Sequence, residues 1–85
     1  MTTNKLLFLL LTSLKENDFR NSSDIIFWKC ELSNLYYNLS DNILKDEAIF
    51  IINSLMDELD EIINIKMQEE IRSVLNNLLN DIKGD

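Results

Sequence analysis

Apolar residues recur at helical spacing along most of the chain, and this pattern predicts four helices. The clearest repeat lies in residues 46–63, where steps of three and four residues join Ala48, Ile52, Leu55, Leu59 and Ile62. That spacing places the side chains on one face of a helix, where they can be buried together. Stripes of this kind predict helices over residues 3–17, 24–39, 43–63 and 66–82.

The other three predicted helices have core stripes of their own. The stripe of helix 1 is Leu7, Leu10, Leu11 and Leu14, and that of helix 2 is Ile25, Trp28, Leu32, Leu35 and Leu39. The stripe of helix 4 is Ile71, Val74 or Leu75, Leu78 and Ile82. The chain has no Pro and one Gly, which favours long helices over a β fold with many turns. We therefore predict a single all-α domain over residues 1–85, a compact bundle of four antiparallel helices.

Helices 3 and 4 are predicted to be separate. The apolar faces of residues 48–62 and 67–82 point in directions that differ by more than a quarter turn. A straight helix through both segments would rotate its apolar face out of the core, so we expect a break near residues 64–66. One continuous helix that wraps a dimer partner is the alternative.

Helices 1 and 2 carry apolar residues outside their core stripes. Phe8 and Leu9 lie off the stripe of helix 1, and Ile26 and Tyr37 lie opposite the stripe of helix 2. Such residues either fill a central position in the bundle or contact a partner, which includes a second copy of the chain. The apolar run at residues 6–14 is far shorter than a membrane span requires.

The formal net charge of −7 belongs to the second half of the chain. Residues 1–45 hold five basic and five acidic side chains, whereas residues 46–85 hold three basic and ten acidic ones. Because Lys and Arg are few and scattered, we expect no direct contact with nucleic acid and no attraction to a membrane surface. The expected partner is another protein with a basic surface.

The acidic side chains concentrate on what is predicted to be the outer face of helix 3 and the start of helix 4. They are Asp57, Glu58, Asp60, Glu61, Glu69 and Glu70. This acidic face is either simply solvated or a docking surface for a basic partner. A calcium site would need a loop with more oxygen ligands, and acid–base catalysis would need buried carboxyl groups. We therefore predict no enzyme, no catalytic residue, no metal and no cofactor.

Cys30 is the single cysteine, and the chain has no histidine. A zinc site built from Cys and His within one chain is thereby excluded, and so is an internal disulfide. A lone cysteine fits either a reducing compartment or a thiol that packs as a small apolar group, and we expect a cytoplasmic protein with a packed Cys30.

The segment Met56–Ile63, MDELDEII, is similar over eight residues to a motif of the small helical aspartyl-phosphate phosphatases of sporulating bacteria. That motif is an S-Q-E-L-D stretch followed by an apolar pair. Met56 and Asp57 stand where it has Ser and Gln, and no glycine turn precedes them. We therefore carry no function over from that family.

The sequence favours a small acidic protein-binding module that inhibits or modulates another protein. An inhibitor, antitoxin or immunity-type factor of a phage or mobile element suits the size, the charge and the richness in Ile and Asn. Such a factor would present its acidic face to a basic groove that otherwise holds nucleic acid. The alternative is a structural protein that dimerises through the spare apolar faces of helices 1 and 2.

Overall fold

Four helices account for most of residues 2–41 and 45–84, the parts of the chain that a computed structural model describes. The helices are Thr2–Ser13 (α1), Ser22–Asp41 (α2), Lys45–Asp57 (α3) and Ile65–Gly84 (α4). Two short 3₁₀ helices, Glu16–Asp18 and Leu59–Glu61, lie in the α1–α2 and α3–α4 connections. No strand of a sheet occurs in these two ranges, so the all-α prediction is confirmed.

The helices enclose one apolar core. α1 packs on α2, α2 on α3, α3 on α4, and α4 on α1. The predicted stripes supply most of the core, which contains Leu7, Leu10, Leu14, Ile25, Trp28, Leu32, Leu35, Ala48, Ile52, Leu55, Leu59, Ile62, Ile71, Leu75 and Leu78. Phe19 and Ile51, outside the predicted stripes, are also buried in it. The predicted members Leu11, Leu39 and Ile82 are only partly buried. The Cα radius of gyration is 12.1 Å, close to the ~12 Å expected of a compact chain of this length. The bundle prediction is therefore confirmed, while the antiparallel order of its helices stays a prediction.

Helix 1 was predicted to reach residue 17 but ends at Ser13. The hydroxyl groups of Thr12 and Ser13 donate to the carbonyls of Leu9 and Leu10, at 3.0 and 2.8 Å. Such bonds offer the last helical carbonyls an alternative to continued helix. Lys15 is already extended, with φ −126° and ψ 141°.

Helix 3 was predicted to continue to residue 63 but ends at Asp57, and its predicted start at residue 43 lies outside the described residues. The chain then forms the second 3₁₀ helix and becomes extended at Ile62, with φ −95° and ψ 112°. The Gln68 side chain donates to the carbonyls of Leu59 and Ile62, at 2.9 and 3.2 Å. These bonds from α4 replace helical bonds, so α3 and α4 are separate helices.

Asn64 begins α4 instead of ending α3. Its Oδ1 accepts a hydrogen bond from the Met67 backbone N–H at 3.2 Å, which is the bond of a helix N-cap. Its Nδ2 donates to Asp18 Oδ1 at 2.8 Å. α4 therefore starts one residue before the predicted range and ends two residues after it, and α2 is two residues longer than predicted at each end.

The two connections are bonded to each other at one end of the bundle. Phe19 and Ile62 form an antiparallel bridge. The Arg20 N–H donates to the Glu61 carbonyl at 3.0 Å, and the Ile63 N–H donates to the Asp18 carbonyl at 2.8 Å. Phe19, in the α1–α2 connection and outside every predicted core stripe, is consequently buried.

The order of elements in the first half recurs in the second half, although the sequence predicts no repeat. α1 has 12 residues and α3 has 13, each 3₁₀ helix has three, and α2 and α4 have 20 each. Each half also contributes one residue to the bridge between the connections. The repeat therefore lies in the element order and not in the residues.

Candidate functional site

The α3–α4 connection, residues 58–64, carries the densest group of acidic side chains. The sequence placed these carboxylates on one face of helix 3, and this is wrong because α3 ends at Asp57. Asp57 and Asp60 are exposed, whereas Glu58 and Glu61 are partly buried. The acidic residues therefore divide into an outward-facing pair and a pair that packs against the bundle.

Glu61 belongs to the inward pair. Its Oε1 accepts a hydrogen bond from the indole Nε1 of Trp28 at 3.0 Å, and the Trp28 side chain is fully buried. Burial and a hydrogen bond with the Glu58 carboxyl raise the pKa of Glu61, and the bond from Trp28 opposes them. The negative charges of Asp24 and Glu58 add to the rise in this pKa. Glu61 therefore contributes to packing as well as to surface charge.

Asp24, in the first turn of α2, is the third carboxylate near this position. Its Oδ2 lies 4.0 Å from Nε of Arg20 and is buried without a hydrogen-bond partner. In residues 2–41 and 45–84, no group of three or more acidic or cysteine side chains is arranged to hold a metal ion. Asp24, Glu58 and Glu61 therefore form a partly buried acidic cluster.

Two isoleucines are exposed within the acidic connection and at the start of α4. Ile63 is 55% exposed and Ile65 is 63% exposed, while Asn64 between them is bonded to Asp18. We call Asp57, Asp60, Ile63 and Ile65 the acidic–apolar surface. The sequence pattern did not predict these two isoleucines as surface residues. Both isoleucines lie outside the core stripes of helices 3 and 4, and this could have identified them as surface residues.

Glu69 and Glu70 are exposed on the second turn of α4, beside this connection. Glu69 lies in a shallow groove that also contains Arg72, so a basic side chain accompanies it. Glu70 lies at a separate groove between α1 and α4. The six predicted acidic residues therefore lie on the end of α3, the connection and α4 instead of on one face.

The four predicted apolar contact residues are all exposed, but they lie in different places. Phe8 and Tyr37 both neighbour Tyr36, with ring centroids 5.8 Å apart in each pair. Leu9 lies in the groove between α1 and α4. Ile26 lies on the same side of α2 as Tyr37, about 16 Å away along the helix axis.

Cys30 is exposed and is not part of a disulfide, so the prediction of a packed thiol is wrong. Within the described ranges, no helix is both long and apolar enough to cross a membrane.

Comparison of the chain with protein-family models, with curated proteins and with solved structures finds no match.

Proposed function

We propose that this protein is a binding module that docks on a basic surface of another protein through its acidic–apolar surface. The observation that carries the proposal is the exposure of Ile63 and Ile65 a few residues along the chain from the exposed carboxylates of Asp57 and Asp60. Protein interfaces commonly combine an apolar centre with a charged rim. The isoleucines would supply the desolvated contact, and the aspartates would select a basic partner.

The charge distribution supports the choice of a basic partner. All of the net charge of −7 comes from residues 46–85, so the field is strongest on the half that contains this surface. Such a field raises the association rate with a basic protein and repels an acidic one. Glu69 and Glu70 extend the acidic area along α4. A groove that otherwise binds nucleic-acid phosphates is the kind of basic surface that we propose it occupies.

The hydrogen bonds of the connection support a preorganised surface. The Ile63 N–H donates to the Asp18 carbonyl, and the Glu61 carbonyl accepts from the Arg20 N–H. The carbonyls of Leu59 and Ile62 accept from the Gln68 side chain of α4. A segment that is already ordered loses little conformational entropy when it binds. This rigidity suits a module that acts by occupying a site.

We place this activity in the cytoplasm, as an inhibitor, antitoxin or immunity-type factor of a phage or mobile element. The exposed thiol of Cys30 supports a reducing compartment. The abundance of Ile and Asn supports an AT-rich coding genome. Occupation of a partner's binding groove requires no catalytic group, and this matches a role in inhibition.

The test is capture of the partner from a host lysate by the immobilised chain, followed by identification and direct affinity measurement. Asp60→Lys and Ile63→Ser should each weaken binding by about tenfold, through lost charge complementarity and lost apolar contact. The matched controls are Asp46→Lys and Phe50→Ser, which make the same changes at exposed positions of α3. Added salt should weaken the wild type more than Asp60→Lys.

Equal losses at Asp60 and Asp46 would mean that total charge, and not this surface, governs binding. Unchanged affinity in both Asp60→Lys and Ile63→Ser would refute the proposal. Circular dichroism of each variant separates a binding defect from a folding defect.

A further inference from the structure

A second surface lies between α1 and α4 and contains no residue of the acidic–apolar surface. It is a shallow groove of about 590 Å³ lined by Leu6, Leu9, Leu10, Val74, Thr12, Ser13, Ser73 and Glu70. Leu6 is 46% exposed and Leu9 is 52% exposed. Phe8 on the same helix is also exposed, so α1 shows apolar side chains to solvent as well as to the core.

The charge of α1 indicates what covers this groove. Within Thr2–Ser13 the single charged side chain is Lys5, and no carboxylate occurs. The whole chain carries −7, so two copies repel each other least where they approach through α1. Glu70 at the edge of the groove offers an opposite charge to Lys5.

We propose that α1 of one molecule packs in the α1–α4 groove of a second copy, in a dimer with two-fold symmetry. In such an interface each contact occurs twice, so Lys5 of each copy would lie beside Glu70 of the partner subunit. The sequence suggested dimerisation through helices 1 and 2. The structure instead directs Leu6 and Leu9 of α1 to a groove shared with α4.

The size of the patch sets the strength of this dimer. A shallow groove and one exposed helix face form a smaller contact than the ~800 Å² per partner of a standard interface. We therefore expect a weak, reversible dimer. Its formation would cover Glu70 but leave Asp60 and Ile63 on the α3–α4 connection available to a different partner.

Sedimentation velocity of the purified chain, from low micromolar to near-millimolar concentration, tests this proposal. The wild type should show a concentration-dependent dimer. Leu9→Glu should weaken it by at least about tenfold, because it removes a buried apolar contact from both copies. The matched control is Phe50→Glu, the same addition of charge at an exposed apolar residue of α3, which should keep the dimer.

A charge exchange tests the arrangement of the two copies. Lys5→Glu and Glu70→Lys should each weaken the dimer, and the double variant should recover most of the loss. A wild-type monomer at every concentration would overturn the proposal, and so would equal effects of Leu9→Glu and Phe50→Glu. A double variant that is as weak as the sum of the single variants would overturn the Lys5–Glu70 pairing. No partner protein is present in these measurements, so their outcome is independent of the proposed function.

Discussion

At the scale of single residues, the contact between Trp28 and Glu61 connects the core to the acidic surface. A buried indole N–H requires an acceptor, and Oε1 of Glu61 provides it at 3.0 Å. The same carboxylate lies near Glu58 and Asp24, which disfavour its charged form. The hydrogen bond of Glu61 therefore stabilises the fold, whereas its negative charge destabilises it.

This conflict predicts a pH-dependent effect of Glu61→Gln. Burial raises the pKa of Glu61, so the folded state retains a proton that the unfolded state has lost. The stability that Glu61 contributes to the wild type is fully present below the ordinary glutamate pKa. It is lost as the pH rises through the raised pKa of the folded state. Glutamine can still accept from Trp28 but carries no charge. The free energy of unfolding of the variant should therefore rise relative to that of the wild type as the pH goes from acidic to neutral. The gain should be less than about 1 kcal/mol, since the site is partly exposed.

Urea unfolding at both ends of that pH range measures the difference. Glu69→Gln serves as the control because it removes one carboxylate from an exposed position of α4. If both variants show the same pH dependence, the effect comes from net charge and not from the site of Glu61.

At the scale of elements, the α3–α4 connection is defined by Asn64 and Gln68. Asn64 caps α4 by accepting from the Met67 N–H, and its side chain also donates to Asp18. The Gln68 side chain donates to the carbonyls of Leu59 and Ile62. These bonds join the two connections and fix where α4 begins. They also hold Ile63 and Ile65 on the outside of the bundle.

Asn64→Ala should consequently lower the free energy of unfolding by about 1–2 kcal/mol, from the lost cap and the lost bond to Asp18. Asn80→Ala makes the same substitution at an exposed position inside α4 and should be neutral or slightly stabilising, because Ala is the better helix former. Thermal or urea unfolding of the two variants gives the comparison. Equal stability of both variants would mean that the cap contributes nothing.

At the scale of the whole molecule, one core joins all four helices. Leu7, Leu35, Ile52 and Leu75 come from different helices, and each is fully buried. A chain of this size has a small stability margin, so each buried apolar group forms an appreciable part of the total.

Ile52→Val should cost about 0.5–1.5 kcal/mol, because it removes one buried methylene and leaves a small void. Ile63→Val makes the same change at an exposed site and should alter stability by less than about 0.5 kcal/mol. Urea unfolding at constant pH and salt measures both. A cost at Ile63 as large as that at Ile52 would indicate that Ile63 is covered in solution, for example by a second copy.

The sequence by itself determined the helical class, the number of helices and most members of the core. Burial of a stripe such as Ala48, Ile52 and Leu55 follows from the helical period, which is a local property of the chain. Tertiary structure alone decided that α3 ends at Asp57, that Asn64 begins α4 and that Phe19 is buried. These features depend on hydrogen bonds between distant residues, such as Asp18 with Ile63, which no local pattern encodes. The surfaces that we propose for binding arise in the same way, because helix ends and helix pairing determine which apolar residues remain exposed.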